Sequence, residues 1–148
     1  MAIYTEESLP SDWKEAIENT KNINGSELAS NLTRINLEKI DAGSIVKYGQ
    51  IIGYKAFSEK LKYSQLRRYV DEIKSFENLE NIEQKISQIK LLRIALLHGY
   101  SRQSEKMKTF YDFIDTIIKA DKIKSEDDFV CFLKLIDSIT AHFEALND

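Results

Sequence analysis

"SQLRRYVDEIKSF", residues 64–76, is the stretch that decides the fold class. Leu66, Tyr69, Val70, Ile73 and Phe76 recur at the i, i+3, i+4, i+7 spacing that lines one face of an α-helix. Ser64 precedes the first periodic residue and is the predicted N-cap. At about 100° per residue, Arg67 and Arg68 fall outside the apolar stripe. Their guanidiniums are expected to reach solvent or a ligand.

Helical spacing continues on both sides of this segment. Residues 44–58 predict a helix whose Gly49 and Gly53 mark close packing or a kink, because no apolar 20-residue stretch surrounds them. Residues 82–100 predict another, with Ile82, Ile86, Ile89, Leu96, Leu97 and Tyr100 on one side and Leu91, Ile94 and Ala95 elsewhere around the wheel. A helix apolar nearly all round is expected to be central, enclosed by the others. Residues 103–120 place Met107, Phe110, Tyr111, Ile114, Ile117 and Ile118 on one stripe. A last helix begins at "SEDD", with Ser125 as N-cap, acidic groups near the positive end of the dipole, and a wide face of Phe129, Phe132, Leu133, Ile136, Ile139 and Phe143.

The expectation is an all-α protein, a compact helical bundle of about five main helices. Residues 44–148 form the bundle, and residues 1–43 form a variable, less regular segment packed on it or extending from it. In that segment "PSDWKEAIEN" predicts a short helix capped by Ser11, and "GSELASNLTRINLEKI" a second. A single proline and five glycines leave few of the breakers that punctuate β-rich folds.

At 148 residues the chain is long enough for one domain with a real core. No apolar run approaches the roughly 20 residues a bilayer span needs, so no membrane partner is expected. The start, "MAIYTEESLPSDWK", has neither a basic nor an apolar signal region, and Cys131 is the only cysteine. Both point to a reducing, cytoplasmic setting.

Catalytic chemistry finds no residues to stand on, and no enzyme is expected. Two histidines and one cysteine without metal-ligand spacing do not build a metal site. Cys131 and His142 lie roughly 16 Å apart along one predicted helix, too far for a dyad. No glycine-rich loop precedes a helix to cradle a nucleotide, and no cofactor is expected. Asp127 and Asp128 read as cap residues.

Charge is unevenly spread. The formal net charge is −3, yet residues 44–108 hold 13 Lys/Arg against 7 Asp/Glu. Residues 1–43 hold 4 against 8, and residues 109–148 hold 4 against 9. A basic middle between acidic ends suggests an anion-facing surface. Its cations are interleaved with Tyr48, Tyr54, Tyr63 and Tyr100, a combination that can hold a phosphate backbone and stack on exposed bases. Arg93 falls within the apolar face of its helix and needs a carboxylate, backbone carbonyls or a phosphate.

Three segments carry a resemblance. "YSQLRRYVDEI" resembles the Ser-Gln-Leu/Ile-Arg segment of the small, Csm-type subunit of type III-A CRISPR effector complexes. "LLRIALLHGYSRQ" sits where that family has an apolar helix ending in Gly-Arg, here Gly99, Tyr100, Ser101 and Arg102. "FVCFLKLIDSITAHFEAL" is similar to the family's closing helix. The resemblance covers about residues 44–146.

It implies a non-catalytic, all-α structural subunit for antiviral defence. Copies of the chain would stack head to tail as an inner filament, beside other CRISPR effector subunits, along the channel where guide RNA pairs with target RNA. Target cleavage would belong to the backbone subunit, and DNA cleavage and cyclic oligoadenylate synthesis to the large one. Lys62, Arg67 and Arg68 are the first expected phosphate contacts, followed by Arg102, Lys106 and Lys55. Arg93 is expected at RNA or in an internal ion pair. The rival readings are the small subunit of a type III-B complex, and a helical protein–protein adaptor unrelated to CRISPR.

Overall fold

Side chains set where four of the helices begin. In the computed structural model, which describes residues 2–34 and 36–147, Asn24 accepts from the Glu27 N–H at 2.9 Å and Asp41 from Ser44 at 2.7 Å. Asn81 accepts from Gln84 at 3.0 Å and Ser125 from Asp128 at 3.1 Å. Each satisfies a backbone donor that the first turn leaves open.

The helices are α1 (Ser11–Asn19), α2 (Gly25–Leu32), α3 (Ala42–Ser58), α4 (Tyr63–Ser75), α5 (Ile82–Arg102), α6 (Ser104–Lys119) and α7 (Glu126–Leu146). Single 3-10 turns occur at Leu37–Lys39 and Phe76–Asn78, and no strand occurs among the described residues. The all-α class is as expected, but seven helices occur among the described residues rather than about five. The two additional helices lie in the segment expected to be less regular.

Two predicted caps are corrected. α1 starts at Ser11 itself, with Pro10 in the cap position. α4 starts at Tyr63 because the Lys62 carbonyl already accepts from Gln65 and Leu66, both at 3.0 Å. Ser64 is therefore inside the first turn, and the cap residue Lys62 supplies no side-chain bond. The sharp entry from α3 runs through Lys60, whose φ of 70° lies in the left-handed region.

The centre is α7 against α3. Phe129, Phe132, Leu135, Ile136, Ile139 and Phe143 of α7 are all at most 1% exposed. α3 approaches closely where it has no side chains. A Cβ on Gly49 would fall on Ser138, 2.7 Å from its backbone carbon, and one on Gly53 would lie 3.0 Å from the Ile139 oxygen. The two glycines thus serve close packing. α1 docks through Trp13, whose Nε1 donates to the Gln50 carbonyl at 2.9 Å. α2 lies on α6, with Gly25 against the Thr109 oxygen and Asp112.

α4 runs antiparallel to α7, tied by Lys74 to Asp137 at 2.6 Å and by the Tyr63 hydroxyl to Glu144. α5 lies outside on α6, joined by the stacked pair Tyr100–Tyr111, with ring centroids 4.4 Å apart. This corrects the expected central helix. Ile89, Leu92 and Leu96 are buried, while Leu91, Ile94 and Leu97 are 55%, 57% and 52% exposed. One face of α5 completes the core already closed by α3, α6 and α7; the other meets solvent.

Candidate nucleic-acid interface

α4 and α5 diverge at the surface and leave a cleft of about 530 Å³ between them. From α4 it is lined by Ser64, Gln65, Arg68, Tyr69 and Glu72, and from α5 by Ala95, His98, Gly99 and Arg102, with Lys62 and Gln103 at the adjoining turns. The lining follows helical spacing on both walls, at 65, 68 and 72 on α4 and at 95, 98 or 99, and 102 on α5. Tyr69 closes the floor, its hydroxyl donating to the Ala95 carbonyl at 3.5 Å. Gly99 permits this approach, since a Cβ there would collide with that hydroxyl and lie 2.9 Å from Met107 Sδ.

Three of the expected RNA contacts meet here. Lys62, Arg68 and Arg102 are exposed, and none forms an ion pair with the described residues. The α4 N-terminus beside them has no side-chain cap, so its free N–H groups add to the positive potential.

The others are placed elsewhere. Arg67 and Arg68 do not share a surface. Arg67 turns toward α7, 3.3 Å from Asp71 and 3.8 Å from Glu144. The Asp71 carboxylate beside it holds the guanidinium more firmly charged than usual. Arg67 thus has carboxylate partners and does not line the cleft that Lys62 and Arg68 share. Lys55 lines a separate hollow of about 250 Å³ with Ile17, Glu18, Lys21, Ile51 and Tyr54. Burial lowers its pKa, partly offset by Glu59. Lys106 is half-buried and lines neither space.

Arg93 takes the internal option. Its Nε donates to Asp115 Oδ1 at 2.7 Å, and Lys119 lies 3.6 Å from the other carboxylate oxygen. Cys131 is a buried thiol whose pKa burial pushes up, and His142 packs edge-on against Trp13 at 5.0 Å. Asp128 is a cap element as expected, and it also accepts from Lys124 at 3.0 Å and from Glu38 at 3.2 Å. Among the described residues, no three His, Cys, Asp or Glu side chains are grouped to hold a metal ion. None of their helices is long and apolar enough to cross a membrane.

Sequence reasoning missed Gln65, Glu72, His98 and Gln103. Each sits at a helical repeat from a predicted cation, a signal present in the sequence. Which two helices face each other across a cleft was not.

The family model described as Csm2 Type III-A matches residues 39–148. The chain belongs to that family. As a Csm2-type chain it is a small subunit of a type III-A CRISPR complex, and the type III-B and unrelated-adaptor readings are set aside. The match includes both walls of the cleft and begins at Lys39, so α1 and α2 lie outside it. No curated protein and no solved structure matches this Csm2-type chain.

Proposed function

We propose that this Csm2-type chain is a non-catalytic RNA-binding subunit, working in the cytoplasm in antiviral defence. Copies of it form an inner filament beside other CRISPR effector subunits and hold the backbone of the guide and target RNA. The single observation that carries this reading is the convergence of Lys62, Arg68 and Arg102, none of which forms an ion pair with the described residues, on one open cleft. Three cations against one carboxylate, Glu72, leave the cleft net positive in a protein of net charge −3, which suits a polyanion. Pairing between the two RNAs supplies sequence recognition, so contacts along the paired backbone are blind to sequence. Several copies acting together would turn modest contacts into firm retention.

The test uses the assembled complex. Lys62→Glu, Arg68→Glu and Arg102→Glu together should weaken target-RNA retention by about tenfold or more, with all subunits still copurifying. Arg67→Gln should have a much smaller effect, because its charge is already met by Asp71 and Glu144. Unchanged retention by an intact triple variant removes the cleft from the interface.

A further inference from the structure

A track for phosphates alone needs only positive charge, but the α4/α5 cleft has ends of opposite sign. Along α7, α4 meets Asp137 through Lys74 and Glu144 through Tyr63, whereas α5 starts near Glu126 through Lys85 and reaches Tyr69 of α4 only at Ala95 and Gly99. α4 and α5 therefore run antiparallel along the cleft. Lys62, Ser64, Arg102 and Gln103 fall at one end, Arg68 and His98 between, and Glu72 at the other. Glu72 is exposed and forms no ion pair with the described residues. A carboxylate there repels a continuous run of phosphates.

The walls also carry groups that a phosphate does not use. Gln65 and Gln103 line it, the Gln65 amide donating to Met107 Sδ, and Ala95, Gly99 and Tyr69 give an apolar floor. Gln103 Oε1 is shielded from solvent and has no hydrogen-bond partner among the described residues. From Ser64 to Glu72 the helix rises about 12 Å, enough for the phosphate, sugar and base of one nucleotide of a bound strand. The cleft's 530 Å³ lies within the range of small-ligand sites, about 300–1,000 Å³.

We propose that this cleft holds one unpaired nucleotide, its phosphate at the Lys62–Arg102 end and the amino edge of its base on the Glu72 carboxylate. The proposal rests on the RNA-binding reading above. A carboxylate accepts from an exocyclic amino group, as on cytosine N4, whereas uracil turns a carbonyl oxygen toward it. The pocket therefore favours an amino-bearing base over uracil. It acts only where the base is unpaired, because pairing occupies that edge.

Fluorescence anisotropy of the full chain at low salt, where few phosphate contacts bind best, compares three hairpin RNAs. One carries a single bulged cytidine, one a bulged uridine, and one no bulge. The cytidine bulge should bind at least about fivefold tighter than the other two. Glu72→Gln, an exposed change whose folding is verified by circular dichroism, should equalise cytidine and uridine. Equal affinity for all three RNAs, or a cytidine preference that survives Glu72→Gln, overturns the pocket and leaves backbone binding standing. If no hairpin binds the free chain, the pocket falls, while the RNA-binding reading is decided by target-RNA retention in the assembled complex.

Discussion

Asp115 is 6% exposed and would be a costly charge without Arg93 at 2.7 Å. Arg93→Met should destabilise the fold by about 1–3 kcal/mol, below the usual figure for a buried pair because Lys119 stays close and Arg93 is itself partly exposed. Adding Asp115→Asn should recover part of the loss, which urea unfolding of single and double variants would reveal. Asp41 offers a pH test. The Ser44 backbone N–H hydrogen bond holds its carboxyl below the ordinary 3.8. A depressed folded-state value means the cap contributes fully above about pH 3.8 and loses its contribution as pH falls through the folded value. Asp41→Ala should lower the melting midpoint at pH 7, with a smaller difference at strongly acid pH, whereas Asp41→Asn should retain a cap at both.

At the scale of elements, the α3–α7 crossing depends on missing atoms. Gly49→Ala would place a methyl into Ser138 and should cost about 1–3 kcal/mol or more, read as a fall in thermal midpoint. α5 gives a contrast along one helix. Leu92→Ala or Leu96→Ala should cost about 2–5 kcal/mol, because both side chains are at most 1% exposed. Leu91→Gln and Ile94→Gln should leave the isolated chain nearly as stable as before. Equal destabilisation by both pairs would restore the central placement expected from the apolar wheel. That expectation failed for a physical reason: apolar residues show that a surface can be buried, not which neighbour is available to cover it.

For the molecule as a whole, overall charge conceals the cleft. Neutralising Lys62, Arg68 and Arg102 to Gln should flatten the slope of log affinity against log salt, by roughly 0.7 for each phosphate the three contact on a single strand. The melting temperature should hardly change, since none of the three forms an ion pair with the described residues. An unaltered slope would show that they face no phosphate. Much of the candidate site was legible beforehand, as cations at helical repeats outside apolar stripes. Arg67 shows the limit. Adjacent residues on a helix point about 100° apart, so Arg68 meets α5 while Arg67 meets Glu144 of α7.

By itself, the sequence determined the helical class, the apolar faces of α4, α6 and α7, the Ser125 cap, and the excess of cations between residues 44 and 108. Those properties are local, carried by periodicity, backbone hydrogen bonding and composition. Only the tertiary structure decided that α5 is peripheral, that Arg93 answers Asp115, and that Lys62, Arg68 and Arg102 share a space with Glu72. Each depends on which helices lie side by side, and that follows from how the whole set of faces packs together.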